Sequence, residues 1–99
     1  MVAGPTPTLV LVVDDEPPIR RVVRGFLERE GMTVAEAADG PAAVETARRF
    51  HPDVVVLDIL LPGFDGLEVL HRIRAFSDPL VLFLTARAEE EDRIVGLRV

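Results

Sequence analysis

An open α/β fold, a doubly wound parallel sheet, is what this sequence predicts, and three observations predict it. Apolar, β-branched runs alternate with amphipathic stretches four times along the chain. The connections are short, as right-handed crossovers between parallel strands require. Three of the four strand candidates are unbroken apolar runs, the composition of strands covered on both faces. A chain of 99 residues, 48% hydrophobic and with mean hydropathy +0.27, fills one core and leaves no room for a second domain of similar weight. A single domain over 1–99 is therefore expected.

The elements follow in order. Residues 1–7 are a lead with two prolines, and "TLVLVV" (8–13) is the first strand, ending at Asp14-Asp15-Glu16. Pro17 and Pro18 suit a helix's first turn. Ile19, Val22, Val23, Phe26 and Leu27 then recur at helical spacing, while Arg20, Arg21, Arg24 and Glu28 take the opposite face. Gly31 supplies the C′ position. "MTVAEAA" (32–38) has few large apolar groups and reads as an edge strand. Asp39-Gly40-Pro41 starts a helix that runs to Phe50, with Ala43, Val44, Ala47 and Phe50 inward.

"DVVVLD" (53–58) is the third strand, followed by a loop holding Pro62-Gly63 and a helix from Asp65 to Phe76 with Leu67, Leu70 and Ile73 on one side. "PLVLFLTA" (79–86) is the fourth strand, and Glu89 to Val99 reads as a last helix with acids in its first turn. The weak second strand belongs at an edge and the first and third at the centre. The expected order is second, first, third, fourth.

Composition excludes several function classes. Net charge is −6 and every basic side chain is arginine, so affinity for phosphate backbones or anionic lipid is expected to be poor, with no direct nucleic-acid contact and no membrane contact by this domain. Without cysteine there is no disulfide, thiolate metal site or cysteine nucleophile. The first residues carry no basic leader and no stretch reaches the ~20 apolar residues of a membrane span, so a cytoplasmic protein is expected. His51 and His71 have no ligand partner at metal spacing and read as surface residues. The glycine-rich phosphate loops and the serine-hydrolase elbow are absent from the sequence.

In sheets of this kind ligands bind outside the carboxyl ends of the strands. Asp14 and Asp15 leave the first strand at that end and Asp58 leaves the third, so the topology gathers three carboxylates into one crevice. Any one of them is more simply a solvated loop acid or a cap. Together they are oxygen ligands with no histidine or cysteine beside them, a set that suits Mg²⁺. Thr85 ends the fourth strand on the same rim, where a hydroxyl could donate to a phosphoryl oxygen. Pro62-Gly63 breaks the chain's direction after Asp58.

"VVDDE" (12–16), "VLDILLPGFDG" (56–66) and "FLTAR" (83–87) resemble the receiver domain of two-component response regulators, over the whole chain and in matching order. The resemblance implies a flavodoxin-like (CheY-like) doubly wound fold. It also implies that Asp58 is the phosphoacceptor, Asp15 a direct Mg²⁺ ligand, Asp14 a water-mediated one, the Leu60 carbonyl a further ligand and Thr85 the switch hydroxyl. "LLPGFDGLEVL" and "LTARAEEEDRIVGL" are most similar to the OmpR/PhoB-like branch, whose receivers regulate winged-helix DNA-binding domains. A sensor histidine kinase is the implied phosphodonor. Leu60, two positions past Asp58, offers no group to orient a hydrolytic water, so slow self-dephosphorylation is expected.

Receivers of this kind continue with a fifth strand, a charge-neutralising lysine and a fifth helix. The chain ends at Val99 and contains no lysine, so the fifth strand and helix are expected to be missing. On that expectation strand 79–86 is left at a bare edge, so the chain is expected either to self-associate through 79–99 or to be the ordered part of a longer product. Two other readings stay open at this point. One is a Mg²⁺-dependent phosphohydrolase with Asp14 as nucleophile, disfavoured because the acid expected two residues on is Glu16, beside Pro17. The other is a receiver-like docking module that takes no phosphate.

Overall fold

The computed structural model describes residues 6–59, 61 and 65–84, and the backbone of 94–97. Its elements are β1 (Leu9–Val13), α1 (Pro17–Arg29), β2 (Thr33–Ala37), α2 (Gly40–Phe50), β3 (Val54–Asp58), α3 (Gly66–Arg74), β4 (Leu80–Leu84) and β5 (Ile94–Leu97). The sheet order is β2-β1-β3-β4-β5, and β1 to β4 run parallel in the expected order with β2 at an edge.

Local chemistry fixes the helix ends. Asp39 and Asp65 cap α2 and α3 by accepting from the amides of Ala42 (2.8 Å) and Glu68 (2.9 Å). Prolines fill the first turns of α1 and α2, where no amide is required. After α1 the chain turns through Gly31 at φ +90°, a conformation that costs glycine nothing. After α2 the same left-handed region is taken by His51, at φ 48°.

Two clusters of buried side chains lie on the two faces of the sheet. On one, Leu11, Val13, Val55, Leu57, Val81 and Phe83 meet Ala43, Val44 and Ala47 of α2 and Val69 and Ile73 of α3. On the other, Val10, Val12, Val34 and Val56 meet the partly buried Val23 and Leu27 of α1, with Met32, Val54 and Leu84 beside them. The alternation along each strand serves both faces, which is why the runs are continuous in sequence.

Several expectations require correction. Residues 94–97 are strand, not helix: β5 pairs antiparallel with β4, Ile94 opposite Leu84 and Leu97 opposite Val81. β-branched Ile94 and Val95 favour extended backbone, and the pairing satisfies the polar groups of a strand edge that a helix would leave open. The parallel sheet thus ends at β4 in the expected order 2-1-3-4, and the β4 edge on which self-association is expected is paired by this short antiparallel segment. Val22 and Phe26 on α1, Phe50 on α2 and Leu67 on α3 are exposed, not inward. In α3 the fully covered stripe is Gly66, Val69 and Ile73, because the helix seats its first residue on the end of β3.

Candidate functional site

The registers put the acids together. Val13 lies opposite Leu57, so the next residues, Asp14 and Asp58, leave neighbouring central strands side by side. Carboxylate oxygens of Asp14, Asp15 and Asp58 lie within 4.8 Å of one another. Asp14 is 1% exposed and Asp58 8%, the buried charged residues at the end of an otherwise apolar sheet. Asp15 is exposed and faces the solvent side of the group.

Asp14 is built into its position by three hydrogen bonds. Its amide donates to the Ala37 carbonyl of β2 (3.2 Å) and its Oδ1 accepts from the Glu16 amide (2.9 Å). Its carbonyl accepts from Arg20 Nη1 (2.7 Å). Oδ2 is buried without a protein partner. Burial pushes the Asp14 carboxyl above its ordinary value; the Glu16 amide pulls it back, the charges of Asp15 and Glu16 raise it again, and Arg20 lowers it.

An orphaned, desolvated carboxylate oxygen beside two further carboxylates has the wrong chemistry to remain as it stands. A hard divalent cation would relieve both the missing partner and the mutual repulsion, so the donor set fits Mg²⁺. Asp14, Asp15 and Asp58 are the residues that would hold it.

The far side of the pocket is set by α3. A Cβ on Gly66 would lie 2.9 Å from both the Asp58 carbonyl oxygen and the Ile59 Cα, and 3.2 Å from the Phe83 ring. The absence of a side chain lets the helix start come down on the strand end, where the Gly66 amide donates to the Ile59 carbonyl at 2.8 Å. The peptide that follows the candidate nucleophile is therefore clamped from above. Sequence reasoning missed this role of Gly66; the Asp-Gly pair before a helix was the available signal.

The structure brings together Asp14, Asp15 and Asp58. Leu60 and Thr85 lie outside the described residues, as do Pro62, Gly63 and the acidic run 89–92. His51 and His71 are exposed, as expected, and His51 packs edge-on against Phe76 at 6.2 Å.

Strand order, helix placement and acid pocket together define a receiver, and the chain belongs to the response regulator receiver domain family, whose model matches residues 10–99. Receivers of this family are phosphorylated on an aspartate and are in general not enzymes. The chain is 51% identical over 92 residues to the probable transcriptional regulatory protein TcrX of Mycobacterium tuberculosis, covering 92% of this chain and 39% of that protein. It is 42% identical over 89 residues to the transcriptional regulatory protein ResD of Bacillus subtilis, covering 90% and 37%. It thus spans less than two fifths of these curated relatives.

Among solved structures it is similar to the response regulator protein TrrA of Thermotoga maritima in complex with Mg(2+)-BeF, with TM-score 0.76 and 38% identity over 85% of this chain and 74% of that one. It is also similar to the N-terminal domain of a response regulator receiver protein from Methanoculleus marisnigri, with TM-score 0.75 and 41% identity over 80% and 67%. No helix among the described residues is long and apolar enough to cross a membrane.

Proposed function

We propose that residues 1–99 act as a phosphorylation switch in which Asp58 accepts a phosphoryl group from the phosphohistidine of a sensor kinase. A carboxylate oxygen of Asp58 attacks phosphorus in line. The new O–P bond forms as the P–N bond to the donor breaks, and the imidazole leaves with the electron pair. Burial on β3 and the clamp at Gly66 hold Asp58 in one orientation, so little freedom is lost on the way to attack. Asp14, Asp15 and Asp58 would hold Mg²⁺, with the Leu60 carbonyl as a further ligand. The ion's part is to offset the negative charge of the carboxylates and the incoming phosphoryl oxygens. Thr85 is the hydroxyl drawn toward the phosphorylated Asp58, and the surface after β4 carries the change onward.

The observation that carries this reading is the convergence of the three carboxylates around a buried, partnerless Asp14 oxygen. The Mg(2+)-BeF complex of TrrA supports a magnesium-dependent phosphoacceptor role, and the names of TcrX and ResD support an effector that regulates transcription. The domain itself makes no base contacts in this reading; a DNA-binding effector does, in the cytoplasm.

The test is labelling with acetyl phosphate followed by intact mass. Mg²⁺-dependent addition of one phosphoryl group, lost in Asp58→Asn, is the expected result, with decay over minutes or longer because Leu60 orients no water. Decay within seconds would remove the Leu60 part. Phosphomonoester turnover abolished by Asp14→Asn and spared by Asp58→Asn would instead make the chain a hydrolase. No labelling under any Mg²⁺ concentration would leave a docking module.

A further inference from the structure

The sequence contains no lysine, so arginine is the strong cation that its described residues can bring to the acid pocket. Arg48 lies over the Phe76 ring at 4.6 Å, Arg72 pairs with Glu68, and Arg74 with Asp78. Arg20 is different. It rises from the first turns of α1, its side chain only 17% exposed, and its fork reaches two elements at once. Nε donates to Glu36 Oε1 on β2 (2.9 Å), and Nη1 donates to the Asp14 carbonyl at the end of β1 (2.7 Å). Glu36 is held from its other oxygen by Arg24 (2.6 Å), which in turn pairs with Glu28.

We propose that Arg20 is a positioning residue for the carboxylate pocket: anchored on Glu36, its guanidinium ties the Asp14 carbonyl and so fixes the backbone turn that presents Asp14 and Asp15. The inference rests on the reading of the pocket as a Mg²⁺ site. The turn has few other restraints. Asp14 carries one backbone bond to β2, and its Oδ1 is already used to hold Glu16, so rotation of the peptide after Asp14 would move both carboxylates. A planar fork with two acceptors on different strands resists that rotation, whereas a single point charge would not.

The sign of the effect separates positioning from simple charge. Arg20 is cationic and close to the pocket, so by Coulomb's law alone its removal should tighten Mg²⁺ binding. If it positions the ligands, removal should weaken binding, and groups behind metal ligands typically matter by about tenfold or more.

The experiment is a Mg²⁺ titration of the 1–99 chain followed through backbone amide NMR shifts, with thermal melts on the same samples. Arg20→Gln is expected to weaken Mg²⁺ binding about tenfold while staying folded. Arg20→Lys, which keeps the charge and loses the fork, should stay weakened several-fold. Arg24→Gln removes a comparable bond to Glu36 without touching Asp14 and should bind within about twofold of the unaltered chain. Arg20→Gln binding as tightly as the unaltered chain or tighter overturns the proposal, as does equal weakening in Arg20→Gln and Arg24→Gln. An unaltered chain with no Mg²⁺ response overturns the metal-site reading and the proposal with it, an outcome recognisable before any variant is made.

Discussion

The two faces of the sheet are held by different physics. Under α2 and α3, seven helix residues are buried against the strands, among them Ala43, Ala47, Val69 and Ile73. On the opposite face α1 fully buries none of its residues, and Val22 stands 72% exposed. What α1 has instead is a chain of ion pairs from Glu28 through Arg24 and Glu36 to Arg20, ending on the Asp14 carbonyl. One face is clamped by dry packing that reaches Asp58 through Gly66; the other is latched by charge that reaches Asp14. Asp58, the proposed phosphoacceptor, is thus set on the densely packed side, and Asp14 and Asp15, proposed to hold the cation with it, on the side latched by charge.

The largest expected difference is in stability. Ile73→Ala opens a cavity among fully covered neighbours and should cost about 2–5 kcal/mol in urea unfolding. Leu27→Ala on α1 deletes a similar volume from a half-buried position and should cost about 1 kcal/mol, because water already fills part of its surroundings. Equal losses would erase the distinction between the faces.

Next comes the pocket itself. Desolvation, the largest cause, raises the Asp14 carboxyl above its unfolded value, so its contribution to stability is fully present below that unfolded value and is lost as pH rises through the folded one. Above that unfolded value, without metal, the carboxyl is a net cost. Asp14→Asn should therefore stabilise the metal-free chain by about 1 kcal/mol, as removal of a strained functional charge commonly does. The same variant should abolish stabilisation by added Mg²⁺. Thermal melts with and without Mg²⁺ read both effects, and a destabilised Asp14→Asn would show that Oδ2 is not the liability its missing partner indicates.

The rigid face was the legible one. Small residues at helical spacing, Ala43, Val44 and Ala47, name their face because only one side of α2 is apolar. On α1 the same rule fails: Val22 and Phe26 satisfy the spacing and are exposed, because periodicity reports what a helix could bury, not what the fold provides to cover it. The carboxylates were legible because strand order alone brings Asp14 beside Asp58. Arg20 and Glu36 were not, since a bridge from helix to neighbouring strand has no signature in residue spacing. The segment 94–97 went wrong for a related reason. Four residues of ambiguous propensity follow their neighbour, and a strand edge in need of hydrogen bonds outweighs the pattern that suggested a helix.

The smallest effect sharpens the latch. Glu36 is held below its ordinary value chiefly by the hydrogen bonds from Arg24 and Arg20. For a carboxyl lowered in the folded state, the stabilisation is present above the unfolded value and fades as pH falls through the folded one. Since the pairs are partly exposed, Glu36→Gln should cost no more than about 1 kcal/mol at neutral pH, and less in high salt. The difference between Glu36→Gln and the unaltered chain should vanish at acid pH, where both side chains are neutral. Hydrogen exchange places the effect: amides of α1 should open more readily in the variant and in salt, while those of α3 stay as they were. If salt instead loosened α3 as much as α1, the charge latch would not be what holds the α1 side, and the division between the two faces would reduce to a difference in buried area.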